Sequence, residues 1–203
     1  AFFTADRKAV RKKMGLEGKI CVLSFGGSLG ARRVNEAMAE LIAHNQNNPD
    51  IFHIHATGAY GVELFPQLLR QKGITNSKTN KNLDIREYIY DMPECFAAAD
   101  LIIGRSGAST LSELEAAGKA SILIPSPNVA ENHQYHNAMT LVRKNAAVVI
   151  EEKDLTGARL CSEFDQLCAE PERLRRLGEN AASLAINDAN DRIYRQIIKL
   201  YSE

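Results

Sequence analysis

The chain has 203 residues, 45% apolar and 25% charged, with 25 Lys+Arg balancing 25 Asp+Glu. This is ordinary globular composition, enough for one domain with a substantial core, and it excludes a disordered tail, a collagen-like repeat and a coiled coil. Zero formal net charge argues against a broad nucleic-acid footprint, and no apolar run approaches the ~20 residues that span a bilayer.

The four cysteines, Cys21, Cys95, Cys161 and Cys168, form no CxxC pair and no zinc-type spacing. Scattered single cysteines fit a reducing, cytoplasmic setting. Ala1–Arg11 lacks the apolar segment of a signal peptide, so the chain reads as a piece of something larger or as a trimmed product.

In chain order, Ala5–Met14 predicts a leading helix, capped by Thr4 and closed by Gly15. Ile20–Phe25 reads as a buried strand ended by Gly26-Gly27. Ala31–Asn45 predicts a helix with Val34, Met38, Leu41 and Ile42 on one face. Ile51–Thr57 is a second strand, and Val62–Lys72 a helix with Gly73 just past its end. Ile74–Asn82 is loop-like, with Asn76–Asn82 expected to be the most mobile stretch, and Asp84–Tyr88 is a short third strand. Asp91 is positioned to cap a helix running to Ala99, with Pro93 in its first turn.

Leu101–Gly104 predicts the fourth strand, followed by a helix at Thr110–Ala117 that Gly118 closes. Ser121–Ile124, a helix at Asn132–Asn145 and Val148–Ile150 complete six strands. Thr156–Cys168, Pro171–Ala185 and Asn190–Tyr201 then read as consecutive helices. Strands alternating with single helices imply right-handed crossovers and an α/β fold, a doubly wound six-stranded parallel sheet ordered 3-2-1-4-5-6. Residues 1–151 form a Rossmann-like domain, and residues 152–203 a helical tail of the same domain.

In such a sheet, ligands sit beyond the C-terminal ends of the first and fourth strands. Two small-residue turns leave those strands. Gly26-Gly27-Ser28-Leu29-Gly30 leads into one helix, and Arg105-Ser106-Gly107-Ala108-Ser109 into another. Glycines let backbone approach a ligand, and a helix N-terminus offers free N–H groups to phosphate. A tight turn with no guest explains the first glycine cluster equally well. It is not GxGxxG, and no acidic residue ends the second strand, which disfavours a nicotinamide dinucleotide.

Glu113 has two readings. Thr110-x-x-Glu113 fits a capping box, which would make it structural. Alternatively its carboxylate accepts from two adjacent ribose hydroxyls. Glu131–Asn137 follows Pro125-Ser126-Pro127 and brings His133, Gln134 and Asn137, side chains suited to sugar hydroxyls. A metal site built from His133, His136, His53 and His55 lacks a carboxylate at sensible spacing, and His53 and His55 read as core histidines. Tyr88, Ile89 and Met92 in Arg86–Met92 offer either core or a wall for a flat base.

At these residues the chain resembles the MurG family of bacterial peptidoglycan N-acetylglucosaminyltransferases, in the C-terminal, donor-binding half of their GT-B fold. The motifs are GGSLGAR at Gly26–Arg32, EYIYDM at Glu87–Met92, RSGASTLSELEAAGK at Arg105–Lys119 and ENHQYHNA at Glu131–Ala138, in matching order and spacing. The resemblance implies UDP-N-acetylglucosamine as donor and a lipid-linked muropeptide as acceptor, converting lipid I to lipid II with inversion. It implies no separate cofactor, no metal, and no catalytic residue in this half. The acceptor-binding N-terminal half, with its membrane contact and catalytic base, is expected to be absent before Ala1, leaving the isolated chain inactive. The complete enzyme would be cytoplasmic and peripheral on the inner face of the membrane.

By the same resemblance, Ser28 with Gly27 and Gly30 contacts the diphosphate. Arg105, Gly107, Ala108, Ser109 and Thr110 form the facing loop, whose amides contact phosphate and ribose. Glu113 holds the ribose diol. Ile89, beside Tyr88 and Met92, reads the uracil. His133, Gln134 and Asn137 touch the sugar, although some relatives carry Gln where His133 stands. Three alternatives stand beside this reading: the donor subunit of a split transferase docking on a membrane partner, an epimerase-type relative, and a nucleotide-sugar binding module without chemistry.

Overall fold

A computed structural model describes residues 5–75 and 80–202 of the chain. The strands are β1 (Ile20–Phe25), β2 (Ile51–Ala56), β3 (Leu83–Arg86), β4 (Leu101–Gly104), β5 (Ala120–Leu123) and β6 (Val148–Val149). The helices are α1 (Arg7–Lys13), α2 (Arg32–His44), α3 (Leu64–Gln71), α4 (Met92–Ala98), α5 (Ala108–Ala117), α6 (His133–Val142), α7 (Gly157–Ala169), α8 (Pro171–Ala182) and α9 (Ala189–Ser202). The sheet order is β3-β2-β1-β4-β5-β6, with every pair parallel, as the alternating pattern predicts.

The strands read as nearly continuous apolar runs because helices cover both faces. Alternate residues then serve different cores. Cys21, Leu23 and Phe25 point to one face, with Phe96 of α4, Leu111 and Leu114 of α5, and Leu141 of α6. Val22 and Ile103 point to the other, with Val34 and Met38 of α2, Phe65 of α3, and Leu160 and Phe164 of α7. Each fully buried side chain of this size contributes roughly 1.5–3 kcal/mol over the exposed state.

Register places the functional loops. Phe25 lies opposite both Ala56 and Gly104, so β1, β2 and β4 end level. The turns after Phe25 and Gly104 therefore leave the sheet side by side. After residue 152, α7 and α8 pack back onto the sheet domain. Helix α7 lies along α2, and α8 lies against α5 and β5. A Cβ on Gly178 would fall 2.6 Å from the Gly118 carbonyl oxygen, which measures how closely α8 approaches the end of α5.

Several boundaries differ from expectation. Helix α1 starts at Arg7, capped by Asp6, whose Oδ1 accepts from the amides of Lys8 (2.8 Å) and Ala9 (3.2 Å). The expected cap, Thr4, lies outside the described residues, as do residues 76–79 of the polar loop before β3. The Val62–Lys72 helix is a short 3-10 turn at Ala59–Gly61 followed by α3. Asp91 stands at the N-cap of α4 without capping it, because its carboxylate pairs with Arg86 instead.

Candidate functional site

The first turn is shaped by backbone that only glycine adopts easily. Gly27 and Gly30 have φ of +94° and +84°, and the Gly30 amide donates to the Gly27 carbonyl at 3.0 Å. The back of the turn is clamped to the loop after β2. The amides of Ala59 and Tyr60 donate to the carbonyls of Ser28 (3.1 Å) and Leu29 (3.0 Å). A Cβ on Gly30 would meet the Thr57 carbonyl oxygen at 2.2 Å. Ser28 itself is exposed.

Helix α2 then begins without a capping side chain. Its N-cap is Ala31, and the first rung of the helix is the Asn35 amide donating to the Ala31 carbonyl. Among the described residues the amides of residues 32–34 have no acceptor, at the positive end of a 13-residue helix.

The second turn repeats the arrangement. Helix α5 starts at Ala108, two residues earlier than the sequence pattern suggests, with Gly107 at the N-cap and no side-chain cap. Thr110 therefore lies inside the first turn, so the capping-box reading of Thr110 and Glu113 does not hold. Glu113 lies in the second turn, partly buried, with no partner among the described residues. Burial pushes its carboxyl above the usual carboxylate range. Ala108 and Ser109 are exposed at the helix start.

The side chains around this turn mostly brace it. Arg105 donates to the carbonyls of Ile124 and Pro125, both at 3.1 Å, and pairs with Glu152. The buried Ser106 hydroxyl donates to the Gln134 carbonyl at 2.8 Å, and Asn137 Nδ2 returns a bond to the Ser106 carbonyl at 3.1 Å. Gln134 Oε1 accepts from the Ser126 amide at 2.9 Å. His133 is exposed at the start of α6, with Nδ1 3.0 Å from the Ala130 carbonyl oxygen. It follows two residues in left-handed conformation, Glu131 (φ 52°) and Asn132 (φ 51°).

Beyond β3, Ile89 is 2% exposed and shares an apolar cluster with Leu111 and Leu114 of α5, while Met92 packs on that cluster. The Ile89 amide and carbonyl take no partner among the described residues. Tyr88 is half exposed and meets the exposed Tyr90 edge-on, with ring centroids 5.0 Å apart.

A cleft of about 420 Å³ opens at the C-terminal end of the sheet, between the two turns. Gly30, Arg105 and Gln134 line it among the expected residues. Gly27, Ser28, the α5 start from Gly107 to Thr110, Glu113, the Tyr88–Met92 group, His133 and Asn137 lie outside its lining. Gly26 and Ala31 flank the first turn in that lining, and Arg32, Arg33, Ser126, Asn128 and Glu152, which were not anticipated as contacts, complete the wall. Glu152 could have been found as the one acidic pair, Glu151-Glu152, directly after the last strand. Among the described residues, no group of three His, Cys, Asp or Glu side chains converges as a metal would need.

A parallel sheet of this order, with a cleft at its switch point between the loops that follow β1 and β4, defines a Rossmann-type domain. The comparisons give the family. The glycosyltransferase family 28 C-terminal domain matches residues 21–193, and the chain belongs to that family. The UDP-N-acetylglucosamine–N-acetylmuramyl-(pentapeptide) pyrophosphoryl-undecaprenol N-acetylglucosamine transferase of Acetivibrio thermocellus is 42% identical over 195 residues, 96% of this chain and 51% of that protein. The protein of the same name in Desulforamulus reducens is 38% identical over 197 residues, 97% of this chain and 53% of its own length. The crystal structure of MurG from Acinetobacter baumannii superposes with a TM-score of 0.80 at 26% identity, covering 98% of this chain and 55% of that one. The fold is therefore one half of a GT-B transferase, and the chain spans about half the length of the curated relatives it matches.

Proposed function

We propose that this chain is the donor-binding half of an inverting N-acetylglucosaminyltransferase, holding UDP-N-acetylglucosamine for transfer to a lipid-linked muropeptide. One observation carries the reading: α2 and α5 begin uncapped, on loops leaving the adjacent strands β1 and β4, and a cleft lined by the α2 start and by Arg105 of the second loop opens there. The names of the relatives supply the donor and the acceptor class.

In this reading the diphosphate lies between the two helix starts, with Ser28 and Gly27–Gly30 on one side and Gly107–Thr110 on the other. Glu113 accepts from the ribose diol, and the Ile89 backbone reads the uracil. His133, Gln134 and Asn137 face the sugar, Gln134 and Asn137 through the groups their bracing bonds leave free. As an acceptor hydroxyl attacks the anomeric carbon, UDP departs with growing negative charge. Amides and helix dipoles already aimed at that charge stabilise it. The mechanism needs no metal and no cofactor.

The base that takes the acceptor's proton, and the membrane contact, belong to the other half of the full-length enzyme. That enzyme acts in the cytoplasm at the inner membrane face. Among the described residues no helix is long and apolar enough to cross a membrane.

Titration calorimetry with UDP, UDP-N-acetylglucosamine, UDP-glucose and NADH tests the proposal. UDP and UDP-N-acetylglucosamine are expected to bind, with no turnover by this chain alone. Binding of NADH only, or sustained transfer by the isolated chain, contradicts it.

A further inference from the structure

A buried polar chain runs behind the first glycine turn. Ser24 of β1 and His55 of β2 are both 0% exposed, and Asn35 of α2 is 1% exposed. Ser24 Oγ lies 2.8 Å from His55 Nδ1, His55 Nε2 lies 3.1 Å from Asn35 Oδ1, and Asn35 Nδ2 donates to the Thr57 carbonyl at 2.9 Å. The last bond fixes the proton order. Because Asn35 Nδ2 donates, its Oδ1 accepts, so His55 Nε2 carries hydrogen and Nδ1 accepts from the Ser24 hydroxyl. Burial lowers the His55 pKa to about 3, which keeps the ring neutral and this order intact.

The chain ends where the turn is tightest. The Thr57 carbonyl is the group that Gly30 abuts, and a Cβ on Gly58 would fall 2.1 Å from the Gly30 amide nitrogen. A Cβ on Gly61 would fall 2.4 Å from Asn35 Nδ2. Asn35 is also the first residue of α2 whose amide is paired, immediately after the three free ones. A set of apolar side chains would fill the same volume without fixing the Thr57 carbonyl or the rotation of α2.

We propose that His55 is a positioning residue for diphosphate binding: through Asn35 and Thr57 it sets the first turn of α2 and the Gly27–Gly30 loop in their binding geometry before ligand arrives. This rests on the donor-site reading above and deepens it. A turn held in place in the free protein is not ordered at the ligand's expense. His53, two residues earlier on the same face of β2, is a contrast: it is 2% exposed, but its Nδ1 has no partner among the described residues and its ring lies beside Phe164.

The test is an amide NMR titration of the chain with UDP and with uridine, which lacks the diphosphate. His55→Leu should weaken UDP about tenfold while uridine changes less than about twofold. His55→Gln should restore most of the UDP affinity, because its amide NH₂ reaches where Nε2 stands and still donates to Asn35. Equal losses for UDP and uridine, or no loss for UDP, would overturn the proposal. Amide exchange without ligand provides a second readout. His55→Leu should speed exchange at residues 27–34 and 57–61 and leave residues 108–111 of α5 unchanged. If wild type binds neither UDP nor uridine, the donor-site reading fails, while unchanged exchange at 27–34 overturns the bracing role by itself. If His55→Leu does not fold, Asn35→Asp removes the bond to Thr57 at constant size and should show the same selective loss of UDP.

Discussion

The two ends of the sheet are built to opposite rules. At the N-terminal end, backbone oxygens left over by the strand and helix ladders are matched by cations. Arg7 donates to the carbonyls of Ala97, Ala98 and Ala99, Arg11 to those of Ala98, Leu16 and Lys19, and Lys119 Nζ to those of Ala97 (3.0 Å) and Ala99 (2.9 Å). Asp100 closes the set, pairing with Arg7 (2.5 Å) and Arg11 (3.0 Å) and accepting from the Cys21 amide. Burial there lowers the Lys119 pKa to about 8. At the C-terminal end, α2 and α5 begin with no side chain on their first amides. One end satisfies its polar groups internally and serves stability. The other leaves donors open, which is tolerable when a ligand supplies the acceptors.

Substitutions should separate the two ends. Gly30→Ala carries the largest expected effect, because it combines a positive φ with a Cβ 2.2 Å from the Thr57 carbonyl. It should cost on the order of 3 kcal/mol in urea unfolding and abolish detectable UDP binding, since relieving the clash moves the turn. Preserved UDP affinity would mean the turn is not the phosphate site. Asp100→Ala should lower stability by about 2–3 kcal/mol by leaving the Cys21 amide without its acceptor and two guanidiniums without their carboxylate. UDP affinity should stay at the wild-type value, and a fall would show that the two ends are coupled.

Glu113→Ala should do the reverse, weakening UDP by about 1.5–3 kcal/mol in calorimetry without loss of stability. The sign of its stability effect follows from its raised pKa. The folded state holds the Glu113 proton more tightly than the unfolded chain, so the ionised group opposes folding above that pKa. The variant should therefore be slightly more stable than wild type at neutral pH, and the gain should vanish below the ordinary carboxylate pKa. Lower stability with unchanged UDP affinity would assign Glu113 to the fold instead.

Sheet order and the position of the cleft were legible because periodicity reports burial and burial dictates layering. Ile20–Phe25 and Leu101–Gly104 match their strands residue for residue. The helix starts were less legible, because a cap is a competition among neighbours that spacing does not decide. Thr110-x-x-Glu113 has the capping pattern, yet Gly107 takes the N-cap. Asp91 has the right type and place, yet Arg86 takes its carboxylate. Arg105 and Gln134 were identified as contact residues, but the sequence could not show that Arg105 is already committed to Glu152 and two carbonyls, or that Gln134 holds Ser126. Those partners are distant in the chain and meet only once the sheet is formed. His53 and His55 are core histidines, as their shared strand face predicts, but the bonds of His55 to Ser24 and Asn35 join other elements and were not legible.

The last helix follows a different logic from everything before it. Every described side chain of α9 is exposed, including Ile193, Tyr194, Leu200 and Tyr201. Fourteen residues is close to the length at which a helix in water gains about as much as it loses in chain freedom. Helical signal from this segment should thus melt gradually and at lower temperature than the sheet, so that heating registers two events rather than one.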